Sequence, residues 1–134
     1  ARDNANRLGL NVQFAEVDLF GDAAAARLTG PVDLLVSNPP YIPNDEAESL
    51  PAVVRDYDPH VALFSGDDPL RFYRALAARA PTLCTPGAAL VLETHADYAE
   101  EAAAVLENEG LADVRLQEDL SGRPRILRAR RRSA

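Results

Sequence analysis

Apolar positions along the chain recur with two different periods. Residues 1 to 8, ARDNANRL, have helical composition and stop at Gly9, a residue suited to the left-handed position just past a helix end. Asn11 to Val17, NVQFAEV, alternates polar and apolar side chains as a half-buried strand does, and Asp18 stands at its carboxyl end. A short alanine-rich helix is expected around Ala23 to Leu28, ending at Gly30-Pro31. Val32 to Ser37, VDLLVS, is a nearly continuous apolar run, which suits a strand covered on both faces of a parallel sheet. The chain then leaves that strand through Asn38-Pro39-Pro40-Tyr41, with Pro43 close behind.

Asn44 to Gly66 shows neither period and reads as a long irregular stretch; segments of that kind are often functional. Asp68-Pro69 supplies an N-cap followed by proline at the first helical position, and LRFYRALAARAPTLC continues with helical spacing. Pro86-Gly87 is expected to turn the chain into the buried strand AALVLET. Residues 97 to 109 form a second strong helix, closed by Gly110. Two last strands, Asp113 to Gln117 and Arg125 to Ala129, flank a turn at Ser121-Gly122. The alternation predicts an α/β fold with a mostly parallel sheet that ends in an antiparallel pair.

Composition narrows the class. At 134 residues with 47% hydrophobic content, the chain is one domain's worth of globular sequence. One cysteine, Cys84, leaves no internal disulfide framework, and no Cys/His spacing suits zinc, so a reducing, cytoplasmic setting is expected. No apolar run approaches the roughly 20 residues that span a bilayer. A net charge of −7 argues against broad, direct nucleic-acid binding, which needs a basic surface. The arginines of the last residues, 128 to 134, are expected to form a disordered, solubilising basic tail. Cys84 is expected in the core, and His60 and His95 at surface or capping positions.

In open α/β sheets ligands bind beyond the carboxyl ends of the strands, which puts Asp18, Asn38 and Glu93 in view. Asp18 is suited to accept from an adenine amino group or a ribose, or to form a turn. Glu93 can face the cleft or cap. At Asn38 the case is sharper, because Pro39 and Pro40 have no N–H and a fixed φ, so the backbone can neither pair onward nor wander. The stiff bend can aim the Asn38 side-chain oxygen and the Pro39 carbonyl at one point. Two acceptors at one point suit an –NH2 group, and Tyr41 offers an aromatic wall beside it.

Asn-Pro-Pro-Tyr in this place resembles the fourth motif of S-adenosylmethionine-dependent amino-methyltransferases, which act on amino groups of adenine, cytosine or glutamine. The surroundings are more specific. DLF at Asp18 to Phe20, Val32 to Pro43, VRDYDPHVAL at Val54 to Leu63 and DDPLRFYR at Asp67 to Arg74 resemble the peptide chain release factor glutamine methyltransferase family over nearly the whole chain. The resemblance implies S-adenosylmethionine as cofactor and a release factor as protein substrate. It places Asp18 and Leu19 beside the adenine or ribose, and Asn38 between donor and substrate. Pro39, Pro40 and Tyr41 would lie against the glutamine, with Asp56 to His60 helping to enclose it.

The same resemblance marks what the sequence lacks. The family's fold opens with a strand, a glycine-rich turn and a second strand ending in an acidic residue; here the seven glycines are all isolated. Residues 1–134 therefore read as the C-terminal part of a Rossmann-like methyltransferase catalytic domain without its first two strands and glycine-rich loop. Those strands would lie between Asn11 to Val17 and Val32 to Ser37, so unpaired edges and self-association through them are expected. The competing readings are an amino-methyltransferase acting on adenine in DNA, which the acidic balance weighs against, and an inactive remnant serving as a binding module.

Overall fold

A computed structural model describes residues 1–21 and 30–133. The helix expected around Ala23 to Leu28 lies outside the described residues. Helix α1 (Arg2–Arg7) is short, and Gly9 follows it at φ 64°. The chain from Asn11 to Val17 is not a strand, contrary to its alternating pattern. Val12 and Val17 are exposed there, and Arg2 reaches across to the Phe14 carbonyl at 3.0 Å. Alternation makes a strand only where a neighbour supplies the ladder, and among the described residues none pairs with this run.

Strand β1 (Val32–Ser37) forms as expected and leads to a two-residue strand β2 (Ile42–Pro43). Asn44 to Gly66 proves far from irregular. It holds a 3-10 turn, helix α2 (Ala52–Tyr57), helix α3 (His60–Leu63) and strand β3 (Phe64–Gly66), which pairs in parallel with β2. Buried Ser65 ties that pairing down by donating to the Ile42 carbonyl at 3.2 Å. These elements are short and mostly exposed, so no apolar period of useful length reveals them.

Helix α4 (Arg71–Leu83) begins two residues later than the Asp68-Pro69 signal suggests, with Leu70 at the N-cap. Asp68 still serves the helix start by accepting from the Leu70 N–H at 3.0 Å. Strand β4 (Cys84–Glu93) includes Pro86-Gly87, which is a bulge and not a turn into the strand. The register jumps there from Val32 opposite Cys84 to Leu34 opposite Ala89, and Gly87 takes φ 80°. Helix α5 (Ala99–Asn108) follows, then the hairpin of β5 (Ala112–Glu118) and β6 (Pro124–Arg130). Asp119 closes the hairpin turn. Its carboxylate takes the Ser121 hydroxyl and the Ser121 and Arg123 N–H groups, and these bonds hold its pKa down at about 2.

The main sheet is ordered β1-β4-β6-β5, with β1 parallel to β4 and β6 antiparallel to both β4 and β5. Helices α4 and α5 cover one face through Tyr73, Leu76, Ala80, Ala102 and Leu106, packed on Leu90, Leu92 and Leu127. Cys84 lies in this core, as the first residue of β4 and not late in a helix. Among the described residues the other face has no helix packed on it. Leu34 is 55% exposed and Val36 68%, so β1 is covered on one face only, against the expectation of two.

Residues 128–130, read from the sequence as the start of a disordered tail, belong to β6. The chain beyond them is also tied down: the Arg131 N–H bonds the Ala88 carbonyl at 2.9 Å, the Arg131 guanidinium donates to the Cys84 carbonyl, and Arg132 Nε donates to the Gly110 carbonyl at 2.8 Å. Composition suggested a solvated charge run; the alternate residues Leu127 and Ala129, both buried, draw the strand into the sheet instead. Among the described residues no helix is long and apolar enough to cross a membrane.

Candidate functional site

The β1–β4 ladder runs as far as Ser37 opposite Leu92 and stops there, because Pro39 and Pro40 have no N–H to extend it. Pro39 is buried, Pro40 and Tyr41 are half-buried, and Asn38 is exposed at the carboxyl end of β1. Tyr41 folds back onto the core and donates its hydroxyl to Glu93 Oε1 at 2.8 Å. Burial first, then the Glu93 hydrogen bond and charge, raise the Tyr41 pKa above the ordinary tyrosine value. Glu93 is thus one of the residues flagged at a strand end, and the structure turns it toward the exit turn rather than into a cap. Its own carbonyl accepts the hydroxyl of buried Tyr73 at 3.0 Å; burial pushes the Tyr73 pKa up to about 12.

A second polar group stands beside this one. His95 caps the turn at Ala96 by accepting from the Asp97 N–H at 3.2 Å, and its other ring nitrogen lies 3.4 Å from Glu46 Oε2. Tyr98 donates to the remaining Glu46 oxygen at 3.2 Å. The His95 ring meets Tyr41 edge-on at 5.9 Å, which joins the two groups. Arg125 donates to the Thr94 carbonyl at 3.2 Å behind them. His95 is therefore a capping residue as expected, while His60 packs edge-on against Phe64 at 5.3 Å. The links from Tyr41 to Glu93 and from Tyr98 to Glu46 each span 52 residues, and no local spacing could have disclosed them. The one sequence signal was a glutamate ending a buried strand.

Asp18 adopts the turn-forming role: its Oδ1 accepts from the Phe20 N–H at 2.9 Å and its carbonyl from Gly21 N–H at 3.2 Å. Leu19 packs on the core, and Phe20 lies between Phe72, at 5.1 Å, and the Arg71 guanidinium, at 4.3 Å. The Asp18 carboxylate is exposed. Asp18 and Asn38 share no hydrogen bond among the described residues. In the expected enclosing segment, Arg55 pairs with Asp56 at 2.8 Å and Tyr57 is 83% exposed, so these side chains point to one another or to solvent.

Two concavities among the described residues bear on the site. One of about 510 Å³ lies on the open sheet face over β4, β5 and β6, between Asp113, Arg115, Arg128 and Arg130, away from the exit turn. A smaller one of about 300 Å³ lies between Pro43, Asp45, Asp67, Pro69 and Tyr98, just downstream of Tyr41. The second is the better candidate for a substrate cleft. It follows the Asn-Pro-Pro-Tyr turn directly and lies on the carboxyl side of the strands.

An α/β sheet whose edge strand leaves through Asn-Pro-Pro-Tyr, with a reversed last hairpin, is the arrangement that the resemblance to amino-methyltransferases implies. No family model matches the chain. Curated relatives do: it is 44% identical over 131 residues to the release factor glutamine methyltransferase of Rhodospirillum rubrum, covering 98% of this chain and 39% of that protein. It is also 44% identical over 132 residues to that of Deinococcus radiodurans, covering 98% of this chain and 45% of that protein. The solved protein-(glutamine-N5) methyltransferase, release factor-specific, from Alicyclobacillus acidocaldarius is similar at 29% identity and a TM-score of 0.49, over 81% of this chain and 53% of that one. Over nearly its whole length the chain is similar to release factor glutamine methyltransferases, and it spans about two fifths of the length of the curated relatives it matches.

Proposed function

We propose that this chain is the amine-accepting part of a methyltransferase catalytic domain that acts on the side-chain amide of a glutamine in a peptide chain release factor. The observation that carries the reading is the exposed Asn38 at the point where two prolines end the β1–β4 ladder. An amide nitrogen is a poor nucleophile, because its lone pair is delocalised into the carbonyl. Asn38 Oδ1 and the Pro39 carbonyl would accept its two N–H bonds, orient the nitrogen and stabilise the positive charge that develops on it. No general base is needed before transfer, since the proton can leave afterwards.

The described residues fit the adenine end of S-adenosylmethionine in part. Asp18 uses Oδ1 in its own turn, and its carboxylate is exposed, so Oδ2 is available as an acceptor for an amino group or a ribose hydroxyl. When bound, the cofactor supplies an electrophilic methyl group. Asp18, Leu19 and Asn38 are the residues of this chain that would hold it. Tyr41 would wall the glutamine, with Pro39 and Pro40 stiffening the turn beneath it.

The test is a chimera in which this chain replaces the segment it matches in the Deinococcus radiodurans relative. Methyl transfer to a release factor, and none to DNA, is the expected result. Methylation of adenine in DNA by the chimera would replace this reading with the DNA one. Transfer to neither would favour a remnant that only binds a partner. Calorimetry on the chain by itself is expected to show weak or no S-adenosylmethionine binding, so tight one-to-one binding would contradict the assignment of an incomplete donor site.

Self-association belongs to the same reading. Among the described residues β1 has one sheet neighbour, β4, and Leu34 and Val36 are exposed beside its free edge. Sedimentation of the chain is expected to show a concentration-dependent dimer, which the double change Leu34→Lys and Val36→Lys returns to monomer. A wild-type monomer at all concentrations would refute it.

A further inference from the structure

The Asn38–Tyr41 turn is clamped at both ends on consecutive residues of one strand. Its entry residue Ser37 is in register with Leu92, and its exit residue Tyr41 is bonded to Glu93. Within the four-residue turn the prolines fix φ at two positions, which leaves few torsions free. Asn38 is exposed and forms no side-chain hydrogen bond with any described residue, so what the turn fixes is the point and direction at which its side chain leaves the backbone. Glu93 is held by two contacts of its own and a third at the next residue. Its backbone pairs with Ile126 of β6, its carbonyl takes the Tyr73 hydroxyl, and Arg125 beside Ile126 is bonded to the next carbonyl, that of Thr94.

We propose that Glu93 is a positioning residue for the amine-acceptor turn: by holding the Tyr41 hydroxyl it sets where the Asn38 side chain leaves the backbone and where the Pro39 carbonyl faces. The proposal rests on the reading of Asn38 and Pro39 as paired acceptors. Glu93 touches neither the cofactor nor the transferred methyl in this role. Its effect is geometric, and geometry is what such a site is sensitive to, since a displacement near 1 Å can cost about 100-fold in rate. Removing the carboxylate frees one end of the clamp. Glutamine at position 93 keeps an acceptor oxygen for the Tyr41 hydroxyl, whereas alanine does not, and Tyr41→Phe deletes the same bond from the other side without changing the ring.

Two measurements test this. In the chimera, Glu93→Ala and Tyr41→Phe should each lower kcat roughly tenfold or more, with KM for S-adenosylmethionine within about threefold. Glu93→Gln should recover most of the loss, and the double change Tyr41→Phe with Glu93→Ala should be no worse than the poorer single one. In the chain itself, the side-chain amide signals of Asn38 in a nitrogen–proton correlation spectrum should move or broaden in Glu93→Ala and in Tyr41→Phe, and stay in place in Glu93→Gln. Unchanged Asn38 signals in both disruptive variants, or independent, additive losses of kcat, would overturn the proposal. An inactive chimera bearing the unaltered residues would count against the function proposed above, while the Asn38 spectrum would still decide whether the clamp exists.

Discussion

Asn38→Ala is expected to lower methyl transfer in the chimera by about 100- to 1,000-fold, the range found when one preorganised polar contact to developing charge is removed. The size follows from what the side chain leaves behind. With Asn38 gone, only the Pro39 carbonyl remains to accept from the amide, so the nitrogen is neither fixed in direction nor stabilised as it becomes positive. Stability should hardly change: Asn38 is exposed, so its truncation should stay within about 0.5 kcal/mol in urea unfolding of the chain. Asn38→Asp keeps an acceptor oxygen and removes the amide donor, and should lose less activity than alanine. If Asn38→Ala kept near-normal kcat, or if its loss of activity matched a loss of fold, the paired-acceptor assignment would be wrong.

The element that carries this chemistry was readable from sequence because its cause is local. Proline without an N–H ends a ladder wherever it stands, so the exit at Ser37 follows from Pro39 and Pro40 without knowledge of the neighbours. The same holds for helices α4 and α5 and for the Ser121-Gly122 turn, where the period or the turn chemistry is contained in the segment. Three of the misreadings are places where a remote partner decides. Asn11 to Val17 has a strand's alternation and no ladder to join. Pro86-Gly87 has a turn's composition, yet the Arg131 carbonyl accepts the Gly87 N–H at 3.0 Å and keeps it within the sheet as a bulge. The arginine-rich end looks solvated until Leu127 and Ala129 are seen buried between its charges.

The candidate site divides along the same line. Asn38 and the prolines were legible; the reason for Tyr41's exact seat was not, because it depends on Glu93 at the end of another strand. Asp18 had two readings that sequence could not separate, and its hydrogen bond to Phe20 selects the turn-forming one for Oδ1 while its exposed carboxylate leaves the ligand role to the binding test.

Leu90→Ala should be the most damaging single change to the fold. Leu90 is fully buried in the middle of β4, opposite Leu35 of β1 and Ala129 of β6, on the face that α4 and α5 cover. Truncating a leucine in such a place removes its transfer free energy and leaves a cavity, about 2–5 kcal/mol together. That is a large share of the roughly 5–15 kcal/mol by which domains of ordinary size are stable. With a urea slope of about 2 kcal/mol per molar, the unfolding midpoint should fall by roughly 1–2.5 M. The internal control is Leu34→Ala, one residue before Leu35 on the same strand but 55% exposed on the open face, which should move the midpoint little. Both are to be measured at concentrations where the chain is monomeric; comparable shifts there would mean that Leu34 is not on an open face and would refute this account.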